Sequence, residues 1–113
     1  CGYSPVKPYT GWFNVYEKYE YADYHQHIPD IISCVYFLNG SEKGAKLLIR
    51  NRNDAFINYC DTASDESPII PLMFHAPFPG KLIIFSSNLE HAVQQHKTND
   101  LRISLAYNYN SYE

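Results

Sequence analysis

Three histidines and one arginine carry the chemistry this sequence could do. His25 and His27 are separated by a single residue. On a strand that spacing sends both imidazoles off one face, about 7 Å apart. A metal needs that of two ligands on one element. His91 could bring a third ligand from another strand, giving a three-histidine site for one divalent metal. As an exposed pair, His25 and His27 would be an ordinary surface feature, so the motif weighs only with its surroundings. Arg102 follows His91 by eleven residues and shares one strand face with Ser104, while Leu101, Ile103 and Leu105 take the other. An arginine among apolar strands is costly without an anion, and a carboxylate matches its planar fork. The plain alternative is a rim arginine paired with Asp100 or Glu90. His75, before a proline-rich turn, reads as a loop residue or one that supports the metal ligands from outside, and His96, between glutamines and a lysine, reads as solvent-exposed.

The elements that must position these residues are short. No segment of ten or more residues keeps a helical apolar period. Instead, runs of apolar and β-branched residues are divided by turn formers. Trp12 to Tyr21 alternates aromatic and polar residues as one long strand would, and Tyr24 to His27 reads as a short one. Ile31 to Leu38 and Ala45 to Arg50 read as buried strands, Phe56 to Cys60 and Ile69 to Phe74 as further ones. Lys81 to Ser86 and His91 to Gln95 read as a pair, and Leu101 to Tyr109 as the last strand. Strands at spacings of about 8–12 residues predict an all-β sandwich or barrel.

With 113 residues the chain is expected to form one domain, residues 1–113. Eleven tyrosines favour strands. A net charge of −3 with no basic run argues against a nucleic-acid partner. No apolar stretch approaches the roughly 18 residues of a membrane span. Three cysteines, Cys1, Cys34 and Cys60, make an odd number without paired spacing. That predicts a reduced, cytoplasmic setting, with Cys34 a buried small hydrophobe.

Five motifs in order now invite comparison: Tyr24-His25-Gln26-His27, Ser33 to Asn39, Gly80 to Phe85, His91-Ala92-Val93 and Arg102-Ile103-Ser104. Together, from about Trp12 to Asn108, they resemble the 2-oxoglutarate- and Fe(II)-dependent oxygenases. The nearest pattern is that of the prolyl-hydroxylase-like branch and its short phage and bacterial relatives. The resemblance implies a double-stranded β-helix, a cupin-like jelly roll of eight core strands. It implies that His25 and His91 hold iron, and that Arg102, supported by the Ser104 hydroxyl, grips the far carboxylate of 2-oxoglutarate. Tyr16, nine residues before His25, falls near a family tyrosine that contacts the cosubstrate. The implied reaction hydroxylates a small-molecule or peptide substrate with O2, releasing succinate and CO2. At this chain length a homodimer could complete the barrel.

Two positions depart from the family pattern. His27 stands where a carboxylate is usual, which removes one negative charge from the metal's surroundings and alters its redox preference. Asp30 could supply the carboxylate if the chain bulges after Pro29. Phe37 stands where prolyl hydroxylases often carry a tyrosine, and Tyr36 would point to the opposite face. Two other readings stay open: a cupin-like three-histidine dioxygenase or isomerase that does not use 2-oxoglutarate, and a non-catalytic jelly-roll binding module.

Overall fold

Strand-forming runs pair into two facing four-stranded antiparallel sheets in a computed structural model that describes residues 6–27, 31–50 and 72–111. The strands are β1 (Val6–Tyr16), β2 (Ala22–His25), β3 (Ile32–Asn39), β4 (Leu47–Arg50), β5 (Leu72–His75), β6 (Leu82–Ser86), β7 (Glu90–Val93) and β8 (Arg102–Ser111). Sheet I has the order β1-β8-β3-β6 and sheet II the order β2-β7-β4-β5. Consecutive strands mostly alternate between the sheets, so the chain winds as a double-stranded β-helix, the expected jelly roll. No helix among the described residues is long and apolar enough to cross a membrane. Cys1, Cys60, Asp30 and the expected strand at Phe56 to Cys60 lie outside the described residues.

Alternation along each strand decides which side chains meet between the sheets. Val35 and Phe37 of β3, Leu47 and Ile49 of β4, Phe85 of β6 and Val93 of β7 form the apolar core, with Ala45 beside them. On β8 the inward residues are Arg102, Ser104, Ala106 and Asn108, all buried, so this strand turns mostly polar side chains inward. Its partner β1 contributes Tyr16 opposite Arg102, Asn14 opposite Ser104 and Trp12 opposite Ala106. The outer face of sheet I is correspondingly apolar. Phe13 (67%), Leu82 (53%) and Ile84 (62%) are largely exposed there, and a shallow groove of about 440 Å³ on that face is lined by no charged residue.

Several boundaries differ from expectation. The first strand ends at Tyr16, not Tyr21, because residues 17–20 close a turn. In it the Glu17 N–H donates to Glu20 Oε1 and the Glu20 N–H to the Glu17 carbonyl, and Tyr19 takes a left-handed φ of 77°. Aromatic alternation alone could not reveal that. β2 stops at His25, two residues short of His27. His75 is the last residue of β5, paired with Leu47, and not a loop residue. His96 is fully buried, not exposed. Its flanking glutamines and lysine hid a ring that serves as an internal hydrogen-bonding group.

Candidate metal centre and anion pocket

The histidine cluster is assembled by strand pairing. β2 and β7 run antiparallel with Ala22 opposite Val93 and His25 opposite His91. Three residues on β2 therefore span what two span on β7, a bulge that turns both Ala22 and His25 toward the cavity. His27 lies just past the strand, where its N–H donates to the Ser87 carbonyl at 3.2 Å. One ring nitrogen from each of His25, His27 and His91 lies within 4.8 Å of the others, an arrangement that could hold a metal ion. The rings crowd one another: centroids of His25 and His91 are 4.1 Å apart and those of His27 and His91 4.9 Å. Trp12 packs on His27 at 5.4 Å and Phe85 on His91 at 5.0 Å.

Local hydrogen bonds and burial prepare the rings as ligands. His25 Nδ1 lies 2.7 Å from the Asp23 carbonyl oxygen. Donation there fixes the tautomer and leaves Nε2 as the ligating atom, the usual outer-shell device at histidine sites. Burial, aided by neighbouring His25, lowers the His91 pKa from 6.5 to about 4. Near neutral pH its imidazole is therefore uncharged, the form a metal requires. The cluster contains no carboxylate among the described residues.

The arginine sits deeper. Arg102 is 1% exposed, which excludes the rim position; Glu90 instead pairs with Arg50 at 2.6 Å. Arg102 Nε donates to the Ala45 carbonyl at 2.8 Å. Its guanidinium lies between the rings of Tyr16 and Phe37, each centroid 5.1 Å from Cζ. Phe37 thus offers a ring face to the cation, where a tyrosine hydroxyl would have offered a hydrogen bond. Burial lowers the Arg102 pKa to about 10, so it stays charged. Burial also raises the pKa of Tyr16, whose phenol stays protonated as a donor. Arg102 Nη2 is buried without a hydrogen-bond partner, and no described carboxylate pairs with the group. A buried cation with an orphaned N–H is a strong demand for an anion.

Both groups line one cavity of about 220 Å³, together with Tyr16, Ser104, Asn14, Trp12 and Asn108. That is the volume of about seven liquid waters, ample for a small dicarboxylate. The donor set would suit a divalent transition metal, and the orphaned Nη2 of Arg102 would suit a carboxylate. Thus the structure brings all six sequence-derived residues, His25, His27, His91, Arg102, Ser104 and Tyr16, to one cavity. Reasoning from sequence missed Asn14, Trp12 and Asn108, although they share strand faces with Tyr16 and Arg102 at period two. Asn108 is buried and fixed, its Oδ1 accepting from Ser33 Oγ at 2.8 Å, with Ser87 Oγ also 2.8 Å from Ser33 Oγ.

Comparison with known proteins agrees with this geometry. No curated protein matches the chain by sequence. Among solved structures, a Burkholderia pseudomallei oxidoreductase of the 2OG-Fe(II) oxygenase family superposes with a TM-score of 0.75 at 18% identity, covering 96% of this chain and 47% of that one. A Pseudomonas putida prolyl-4-hydroxylase gives 0.65 at 18% identity over 91% of this chain and 51% of its own. HygX from Streptomyces hygroscopicus, solved with nickel and 2-oxoglutarate bound, gives 0.68 at 10% identity over 96% and 57%. The chain therefore spans about half the length of the solved structures it matches. A family model described as "Putative 2OG-Fe(II) oxygenase" matches residues 10–108. The chain belongs to the 2OG-Fe(II) oxygenase family.

Proposed function

We propose that this chain is an iron(II)- and 2-oxoglutarate-dependent oxygenase acting on a small-molecule or peptide substrate. His25, His27 and His91 would hold the iron, and Arg102, Ser104 and Tyr16 would hold the cosubstrate. The observation that carries this reading is Arg102: a buried cation with a free N–H, sharing a cavity with three convergent histidines. Bound iron with 2-oxoglutarate supplies oxidation of a substrate C–H bond to C–OH by O2, releasing succinate and CO2.

The protein's share of that work is placement and exclusion of water. Arg102 is held by the Ala45 carbonyl and two ring faces, so its remaining N–H groups meet a carboxylate without reorganising. Ser104 and Asn14 occupy the next rung along the sheet, between the Tyr16–Arg102 pair and Trp12, which packs on His27. Val35, Leu47, Phe85 and Val93 give the cavity apolar walls, which strengthens the charge pairing inside. His25 is the exposed member of the trio and His91 the buried one, so substrate and O2 would approach from the His25 side. A reducing, cytoplasmic setting would suit both Fe(II) and the free thiol of Cys34.

The test is 2-oxoglutarate binding by calorimetry with Co(II) in place of oxidisable Fe(II). Binding that needs the metal and is lost in Arg102→Ala supports the reading. Binding unchanged in Arg102→Ala would remove the cosubstrate assignment. A second reading, a cupin-like three-histidine dioxygenase or isomerase that does not use 2-oxoglutarate, draws on the all-histidine ligand set. Metal binding with no 2-oxoglutarate binding would favour it.

A further inference from the structure

We infer that His96, outside the metal cluster, is a positioning residue for Arg102 and sets the strength of 2-oxoglutarate binding through the backbone of Ala45. This rests on the proposed cosubstrate site and adds to it a residue outside the cavity lining.

The relay is short. The Ala45 N–H donates to His96 Nδ1 at 3.2 Å, and the Ala45 carbonyl accepts from Arg102 Nε at 2.8 Å. One alanine is therefore held from both sides, by the imidazole at its nitrogen and the guanidinium at its oxygen. On the far side of the ring, His96 Nε2 lies 2.5 Å from the Asp100 carbonyl oxygen and 3.1 Å from Thr98 Oγ1. Donation from Nε2 to Asp100 requires a bare Nδ1, which is the acceptor that Ala45 uses. The tautomer is set by one loop and read by another.

The backbone of His96 holds the other side of the arginine cage. The Tyr19 N–H donates to the His96 carbonyl, and the His96 N–H donates to the Glu20 carbonyl at 2.9 Å. Those two residues form the turn that follows Tyr16, whose ring covers the guanidinium. Ala45 itself has little room to move. A Cβ on neighbouring Gly44 would come within 2.9 Å of the Pro77 ring, so the loop lies tight against its neighbour. A fully buried histidine on a polar stretch is thereby explained: it joins three connections and aims one arginine. Pairs of orienting bonds to a binding group matter because a small misplacement weakens every contact that group makes.

Two substitutions separate the ring's roles. Asparagine places an acceptor near Nδ1, whereas glutamine places a donor near Nε2 and nothing for Ala45. With Co(II) bound, His96→Gln is expected to weaken 2-oxoglutarate binding about five- to tenfold, the loss of about one oriented hydrogen bond. His96→Asn is expected to stay within about threefold of wild type, and Co(II) affinity to be unchanged in both. A folded His96→Gln protein that binds 2-oxoglutarate as wild type does would overturn the proposal. So would equal weakening of metal and cosubstrate binding, the mark of a merely structural role. In the wild-type chain loaded with Zn(II), NMR supplies a test needing no variant. Adding 2-oxoglutarate should shift the Arg102 Nε–H and Ala45 amide resonances together, and an Ala45 amide that does not move overturns the relay. If the metal-loaded wild type binds no 2-oxoglutarate, the cosubstrate reading itself fails, a result distinct from these.

Discussion

His25 and His91 stand directly opposite one another in the antiparallel register of β2 and β7, with ring centroids 4.1 Å apart. Their proximity is a property of strand pairing, so it exists before any metal arrives. His25→Ala or His91→Ala should therefore lower Co(II) affinity on the order of 100-fold or more, since even outer-shell losses cost 10–100-fold. His27 is attached differently, beyond the strand end, and in the proposed site it would take the place of the carboxylate usual in the family. His27→Asp should bind Co(II) at least as tightly as wild type, because an anionic oxygen adds charge attraction. Competition with a chromogenic chelator measures all three, and a marked loss in His27→Asp would place the third ligand elsewhere.

Arg102 is expected to trade stability for binding. In Arg102→Met the cation and its orphaned N–H leave a site that is otherwise ringed by Tyr16, Phe37 and Ala45. Replacing a buried charge by an apolar side chain of similar length is often neutral or stabilising by about 1–4 kcal/mol. The ligand-free variant should melt at or a few degrees above wild type, while 2-oxoglutarate affinity falls about 100-fold. Differential scanning fluorimetry with and without cosubstrate reads both. A large drop in the ligand-free melting temperature would mean that the Ala45 bond outweighs the cost of the charge.

The ligand-free protein should lose stability in mild acid through His91. Its pKa is near 6.5 when unfolded and about 4 when folded. Between those values the unfolded chain holds more protons, so stability rises with pH across the window. The contribution is complete above pH 6.5 and is lost as pH falls from 6.5 toward 4. Melting temperature followed over that range should fall by on the order of 10 °C from this group, and His91→Leu should flatten the slope. A slope unchanged in His91→Leu would assign the acid sensitivity to other groups.

On β6, side chains one residue apart should respond oppositely to charge. Ile84 is 62% exposed on the outer face, whereas Phe85 is 7% exposed beside His91. Ile84→Lys should change unfolding free energy by no more than about 0.5 kcal/mol. Phe85→Lys would bury an unpaired charge and should prevent stable folding. Urea denaturation distinguishes them, and a large loss in Ile84→Lys would show that the outer face is covered.

Much of the site was legible in the sequence because it is written in period two. Arg102 and Ser104 share a face by alternation alone, and that face is the buried one. His25 and His91 could be paired by motif order. What alternation could not reveal lies where it breaks. The bulge between Ala22 and His25 turns two odd-spaced residues the same way, and nothing in Ala22-Asp23-Tyr24 announces it. The turn after Tyr16 depends on a glutamate bonding its own neighbourhood and on one left-handed tyrosine. His96 reads as exposed from its neighbours because burial in a loop follows from tertiary partners, Ala45 and Asp100, that are distant or irregular in sequence.

The division of labour between the sheets has a last consequence. Paired strands lie within one sheet or the other; the histidines belong to the β2–β7 side and Arg102 to the opposite layer. A small molecule gripped by both acts as a rivet through the sandwich, resisting any motion that parts its layers. Present at about 100 times its dissociation constant, such a ligand adds about 2.7 kcal/mol against opening. Protease resistance, and with it the lifetime of the chain in a cell, would then rise and fall with the supply of a metabolite.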